Sequence, residues 1–420
     1  MVKALQLKML RLNREIIIFV IILLVIAGCG GGRKSGNENS DEFIKIDVTK
    51  KYPKRELILQ DVFDVEYIAL ETTNEFACQG FVMAIGKKII IVKNQVIDGN
   101  IYFFDRASGK GLKIINRFGR GGEEYLDIYG IYLDEDNDEM FVLDRMKRKI
   151  FVYDLDGKYK RSFSFLRENF YYGEIFNFDE NHLICFIKDN WAWAIHMNRI
   201  SIADYDKETF NKLLFLIISK QDGNVIKEIP FFFKDRKTMD IFGNGVEMGY
   251  SSPEYNKLIP YDDNWLLIDV SSDTIYQLLP DYSTSPVIVR TPSIHSMSPE
   301  VFLLPTFITN RYYFMKTIKK VARPGIEFFP HTYLVYDRQE QAIFESVVYN
   351  EDYSTEENFM FIIMATRLMN SEIIFYKKYE ADDLFDAYRG GQLKEGKLKE
   401  IAAGLKEEDN PVIMLVKYKK

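Results

Sequence analysis

Short apolar runs divided by polar turns dominate the chain, and the stretch from Ile128 to Phe165 shows the unit most clearly. Ile128–Leu133 is apolar, 134–138 reads DEDND, Met140–Leu143 is apolar, 144–149 reads DRMKRK, and Ile150–Tyr153 is apolar again. After a turn through Gly157, residues Tyr159–Phe165 alternate aromatic and polar side chains. Runs this short, bounded by turn-forming residues, predict strands, and the alternating run predicts a half-exposed edge strand. Four short antiparallel strands with tight turns make one propeller blade.

The unit repeats. Met140-Phe-Val-Leu-Asp144, a polar turn and Ile150-Phe-Val-Tyr align without a gap on Trp265-Leu-Leu-Ile-Asp269, a polar turn and Ile275-Tyr-Gln-Leu. The offset is 125 residues, two periods of about 62. A third-strand string recurs six times: IYFFDRASG from Ile101, IFVYDLDG from Ile150, LFLIISKQDG from Leu214, IYQLLPD from Ile275, TYLVYDRQEQ from Thr332 and VIMLVKY from Val412. The pattern predicts an all-β chain over residues 46–420: a six-bladed β-propeller of four-stranded antiparallel blades. The final strand, Val412–Tyr418, is expected beside an N-terminal strand such as Val65–Leu70, which closes the ring and removes a sheet edge.

Two segments break the strand pattern. Leu398, Ile401, Ala402 and Leu405 fall at helical spacing and predict a short C-terminal helix inserted before the last strand. Ser354-Thr-Glu-Glu357 reads as a capping box opening a helix through Met360–Met369, although that run is apolar all round and reads equally as a buried strand.

The first residues follow another logic. Lys3, Lys8, Arg11 and Arg14 precede the unbroken apolar run Ile16–Ala27, whose 12 residues match a signal-peptide core and fall short of a spanning helix. Ile26-Ala27-Gly28-Cys29 resembles the lipobox of bacterial lipoproteins, so 1–28 is expected to be a signal peptide cleaved before a lipidated Cys29. The other reading is a short membrane anchor with a cysteine at its edge. Residues 29–45 then form a flexible tether, since 30–42 (GGGRKSGNENSDE) contains nothing to bury. Gly30 is not the aspartate associated with inner-membrane retention, which points to the outer membrane. Arg33-Lys34 come before Asp41-Glu42, so the choice between a periplasmic and a cell-surface face stays open.

Charge narrows the partners. The net charge is −7, and residues 1–28 carry four basic side chains and one acidic, leaving about −10 on the remainder. That acidic body argues against nucleic acid and against bulk-charge binding to anionic lipid. The aromatic share, 15%, suits strands. Cys78 and Cys185 either form one disulfide or are buried thiols in separate blades. The four histidines, at 182, 196, 295 and 331, show no metal-ligand spacing.

Three segments complete the picture: Asn116-Arg-Phe-Gly-Arg-Gly-Gly-Glu-Glu-Tyr125 with the blade after it, Ser272-Asp-Thr-Ile-Tyr276, and Asp409-Asn-Pro-Val-Ile-Met-Leu-Val-Lys417. With them the chain resembles the Bacteroidetes lipoproteins described as six-bladed β-propellers, relatives of the NHL-repeat proteins. The resemblance covers essentially all of the chain after Cys29. It departs at Gly121-Gly122, where the family usually has Gly-Pro. It implies the fold and an envelope location, and no established activity.

Candidate binding residues come from three places. Arg117, Arg120, Glu124 and Tyr125 lie in the glycine-rich RFGRGGEEY, which could hold an anion or a sugar; the other reading is an inter-blade turn in which Arg and Glu pair with each other. No Gly-Lys-Ser/Thr follows, as a phosphate-cradling loop requires. Trp191 and Trp193, alternating in KDNWAWAIH between blades, would form a stacking platform or pack beneath the loop. Asn310 and Arg311, in a turn leading into an inner strand, are expected at the mouth of the central channel. The expectation is therefore a lipid-anchored binding or scaffold module, without catalytic residues or a resident cofactor, for an envelope protein, glycan or peptide. The competing reading is a calcium-dependent hydrolase, lactonase or lyase using the channel. Glu66, Asp144, Asn264 and Asp269 are eligible ligands, and no spacing singles them out.

Overall fold

The computed structural model describes residues 43–78, 80–165, 170–189, 212–239, 255–321, 329–355 and 372–419. Three strands and a helical turn come first: β1 (Ile44–Asp47), β2 (Lys54–Ile58), α1 (Leu59–Val62) and β3 (Phe63–Ala69). The first blade is β4 (Phe81–Ile85), β5 (Ile89–Lys93), β6 (Asn100–Asp105) and β7 (Gly111–Asn116). The second is β8 (Gly130–Asp134), β9 (Glu139–Asp144), β10 (Lys149–Tyr153) and β11 (Tyr159–Ser164). The third is β12 (Phe170–Asn177), β13 (His182–Asp189), β14 (Lys212–Ser219) and β15 (Val225–Phe232). The fourth is β16 (Leu258–Tyr261), β17 (Asn264–Leu267), β18 (Thr274–Leu278) and β19 (Thr284–Thr291). The fifth is β20 (Val301–Ile308), β21 (Tyr312–Lys319), β22 (His331–Asp337) and β23 (Ala342–Tyr349). The sixth sheet joins β24 (Ile373–Tyr379) and β25 (Val412–Tyr418) to β3. Together the sheets of the unit Lys45–Lys420 make a six-bladed β-propeller.

Burial explains the strand sequences. Every residue of β9 is buried, as are the central positions of β5, β6 and β10, because these strands have neighbours on both sides and a blade on each face. Their sequences are accordingly continuous apolar runs. The outer strand β11 alternates, with only Phe163 buried. Large rings such as Phe103, Phe141, Phe151, Phe215 and Phe302 fill the wedges between blades at no more than 1% exposure, which accounts for the aromatic-rich composition.

The recurring third-strand string owes its Asp and Gly to the turn that ends it. The Asp105 carboxylate accepts hydrogen bonds from Ser108 N (2.8 Å) and Ser108 Oγ (2.5 Å). Asp154 likewise accepts from Asp156 N (3.0 Å) and Lys158 N (2.8 Å). Gly157, at φ 81°, occupies the left-handed position of its turn, which a side chain would strain.

The ring closes as expected. β25 pairs antiparallel with β3 from Val412↔Ala69 to Tyr418↔Phe63. Two strands were not foreseen: β1 lies against β19, and β2 pairs parallel with β23, so the fourth and fifth blades carry five strands instead of four. The N-terminal segment therefore runs along the outer edges of blades four and five before completing blade six. The expected C-terminal helix is present as α3 (Lys397–Gly404), with Leu398 and Ala402 buried, and a further helix, α2 (Ala381–Arg389), precedes it. Glu356 and Glu357 of the capping-box segment and all of Met360–Met369 lie outside the described residues. Cys78 and Cys185 are buried free thiols, and burial pushes the Cys78 thiol up to about 12. Among the described residues no helix is long and apolar enough to cross a membrane.

Candidate functional site

In blades one to five the first strand runs to the same end of the ring, and the turns that follow, with Glu372 just before β24, surround a cavity of about 1340 Å³. Gly86 and Lys87, Glu135 and Asp136, Phe178, Asp262 and Asp263, Thr309 to Arg311, and Glu372 contribute one wall each, from blades one to six in order. Glu56 and Asp61 of the N-terminal segment and Lys419 after β25 complete the rim. Deeper in, the walls are apolar, with Ala84, Ile131, Ile175 and Ile308.

Much of the polar rim is committed to holding blades together. The Glu135 carboxylate accepts from the backbone N–H groups of Lys87 (2.5 Å), Lys88 (3.0 Å) and Ile89 (3.0 Å) in the preceding blade. Glu372 accepts two hydrogen bonds from Arg106, at 3.1 and 2.9 Å, and Arg106 also donates to Gly86 O (2.9 Å). Asp134 pairs with the buried Lys220 of blade three at 2.5 Å. Between blades four and five the hydroxyls of Tyr261 and Tyr313 meet at 2.8 Å. Such contacts order the mouth without any ligand.

Among the described residues the cations of the rim are all engaged. Lys87 pairs with Asp136 at 2.7 Å. Arg311 donates to the fully buried Asp337 at 2.8 Å, and Arg338 to Asn310 O at 3.2 Å. Lys419 donates to the carbonyls of Gln60 (3.1 Å) and Asp61 (3.0 Å). Burial disfavours the Asp337 carboxylate, and the hydrogen bond from Arg311 overcomes this, leaving its pKa below the ordinary value. By contrast, the carboxylates of Glu56, Asp61, Asp262 and Asp263 are exposed and make no ion pair or side-chain hydrogen bond among the described residues. Asp262 and Asp263 form the two-residue turn from β16 to β17, both at positive φ, 49° and 57°.

The sequence-predicted residues divide between the two ends of the ring. Asn310 and Arg311 are at the cavity rim, although their turn leads out of the innermost strand β20 and into β21. Arg117, Arg120, Glu124 and Tyr125 lie between β7 and β8, at the opposite end, and do not share the cavity. There the loop is a packed inter-blade connection. Tyr125 is fully buried, donates to Gly99 O (2.7 Å) and accepts from Arg117 N (3.0 Å). Arg117 Nε donates to Gly157 O (2.8 Å), and Glu124 accepts from Gly121 N (2.7 Å). Lys147 ties the loop down through the carbonyls of Gly119, Gly121 and Glu124 at 3.0, 2.7 and 2.6 Å. Arg117 and Glu124 thus bond to backbone and not to each other, and Arg120 is exposed. Trp191 and Trp193 lie outside the described residues, in the stretch of sequence between β13 and β14, which are strands of the same blade. Cys29 also lies outside them.

The four candidate metal ligands are dispersed. Glu66 pairs with Lys417 (2.9 Å), and Asp144 accepts from Leu126 N and Lys147 N (both 2.7 Å). Asn264 is at the cavity, and Asp269 is at the other end beside Lys257. Among the described residues no group of three or more His, Cys, Asp or Glu side chains is placed to hold a metal ion.

Sequence reasoning missed two features. The Asp262-Asp263 turn was marked only by two acidic residues between short apolar runs. Lys257 had no local signal: its ammonium is buried between Tyr255 and Asp269 near Glu174, and burial lowers its pKa to about 8.

Residues 43–417 match the model of a family described as "Domain of unknown function (DUF4934)". The chain belongs to this family. In DUF4934 terms, nearly the whole described propeller is one family domain. Its fold is similar to that of a protein from Bacteroides fragilis NCTC 9343 described as exported, at TM-score 0.58 and 14% identity, covering 90% of this chain and 100% of that one. A member of the DUF4221 family from Bacteroides vulgatus is more distant, at TM-score 0.45 and 13% identity over 85% of this chain and 97% of that one. No curated protein matches the chain.

Proposed function

We propose that this DUF4934 protein is an exported lipoprotein, anchored through Cys29 to the outer membrane, that binds a peptide, glycan or envelope protein at the six-walled channel mouth. The observation that carries the reading is the cavity, about 1340 Å³ and larger than most small-molecule pockets, walled by all six blades. Its rim is held in place by inter-blade bonds such as Glu135 to Lys87, Lys88 and Ile89, so little ordering is needed on binding. The exported neighbour from Bacteroides fragilis and the signal-peptide and lipobox pattern of 1–29 support the location.

The test is the thermal unfolding midpoint of the protein with calcium, with chelator, and with a panel of peptides and oligosaccharides. A ligand that binds only the native state at ~100 times its Kd adds about 2.7 kcal/mol. A rise with a peptide or sugar, abolished when Asn310 is replaced by Trp at the rim, supports the binding module. A rise with calcium alone moves the reading to a metal-dependent hydrolase or lyase. Radiolabelled fatty acid incorporated into the wild type and lost in Cys29→Ala supports the anchor, and equal labelling overturns it.

A further inference from the structure

We infer that the ligand of the channel mouth is a cationic chain, a peptide bearing several lysine or arginine side chains. This rests on the reading of the mouth as the binding site and specifies what that site takes.

The charges of the rim are out of balance. Among the described residues, each cation lining the cavity is already bonded to an oxygen of the protein: Lys87 to Asp136, Arg311 to Asp337, Arg338 to Asn310 O, and Lys419 to Gln60 O and Asp61 O. Three of its acids, Asp134, Glu135 and Glu372, are likewise spent on blade-to-blade contacts. Four remain: Glu56, Asp61, Asp262 and Asp263, exposed and without an ionic partner among the described residues. Among the described residues, the uncommitted charge facing the cavity is therefore entirely negative. A concave site with apolar walls focuses that field and raises the local concentration of cations.

Two further observations select an extended ligand over a single amine. The free carboxylates stand on different walls: Asp262 and Asp263 in the β16–β17 turn of blade four, Glu56 and Asp61 in the N-terminal segment beyond blade five. Separated anionic sites suit separated positive charges along one chain. The part-exposed rings of Phe178 and Tyr261 stand at the same mouth and add faces on which ammonium or guanidinium groups rest favourably. The left-handed backbone at both Asp262 and Asp263 holds the two carboxylates on a rigid two-residue turn, so they are presented before the ligand arrives.

The experiment is a titration of the intact protein with pentalysine, a neutral Gly/Ser pentapeptide, a neutral oligosaccharide and calcium, each alone. It is done with the wild type, Asp262→Asn/Asp263→Asn and Glu56→Gln/Asp61→Asn, and unfolding curves check that the variants are folded. Pentalysine is expected to bind the wild type and to weaken about tenfold in each double variant, since rim charges contribute modestly apiece. It is also expected to weaken sharply between ~0.05 M and ~0.5 M salt. Binding by pentalysine that both variants retain would overturn the inference, as would calcium binding lost in Asp262→Asn/Asp263→Asn with no pentalysine binding. If the neutral peptide or sugar binds and Asn310→Trp blocks it while pentalysine does not bind, the cationic ligand is excluded and the mouth reading survives. If no probe binds in any form, both fall.

Discussion

A Cβ added to Gly86 would lie 2.5 Å from Cδ of Glu135, the side chain that reaches over from the next blade to accept three backbone N–H groups. Only glycine lets the two turns approach this closely. Gly86→Ala must displace the carboxylate, and Glu135→Ala leaves the three donors to water. Each is expected to destabilise the protein by about 1–3 kcal/mol. Urea unfolding measures this, and because both changes loosen the mouth, ligand affinity should fall with stability. Loss of affinity without loss of stability would show that Glu135 touches the ligand.

Tyr125 gives a contrasting expectation. Its hydroxyl satisfies Gly99 O and Arg117 N inside the ring, so Tyr125→Phe orphans two backbone groups and should cost about 1–2 kcal/mol. Binding at the mouth should be unchanged, because the loop is at the other end of the blades. A Tyr125→Phe protein of wild-type stability that binds its ligand poorly would return RFGRGGEEY to the list of binding sites.

Lys257 makes stability depend on pH. Burial lowers its pKa to about 8, against the attraction of Asp269, from an unfolded value of 10.5. Below pH 8 both states are protonated and the penalty for burying the charge is constant. Between 8 and 10.5 the unfolded chain keeps a proton that the folded one has lost, so this group adds stability as pH rises. The buried thiols of Cys78 and Cys185 and the buried hydroxyls of Tyr67 and Tyr379 have raised pKa values and act in the opposite sense at the alkaline end. Subtracting the Tm of Lys257→Met from that of the wild type isolates the lysine. The difference should grow in favour of the wild type from pH 8 upward, and a flat difference would contradict the lowered pKa.

The fold was legible where burial dictates composition. Five of the six recurring strings sit in β6, β10, β14, β18 and β22, the third strand of blades one to five, and the sixth is β25, the central strand of the last described sheet; each has a neighbour on both sides and so reads as a short apolar run. β1 and β2 were missed because they are added at outer edges, where half-exposed sequences such as KRELI look like ordinary surface. The site was legible only in part. Asn310 and Arg311 fell at the mouth, yet the most distinctive motif, RFGRGGEEY, owes Gly119, Gly121 and its tyrosine to packing. Asp262 and Asp263 went unnoticed because an acidic turn has the same composition whether it faces bulk water or a cavity.

The clasp between β3 and β25 bears on the order in which the molecule is built. Val412 and Ala69, partners in that ladder, stand 343 residues apart. The N-terminal strands emerge first, yet β1, β2 and β3 find their partners only in blades four, five and six. The earliest-made segment of the propeller thus waits for the last, and ring closure is a late, long-range and correspondingly slow event. Until β25 arrives, β3 has no strand to pair with, so a growing chain cannot close the ring before its last strand is made.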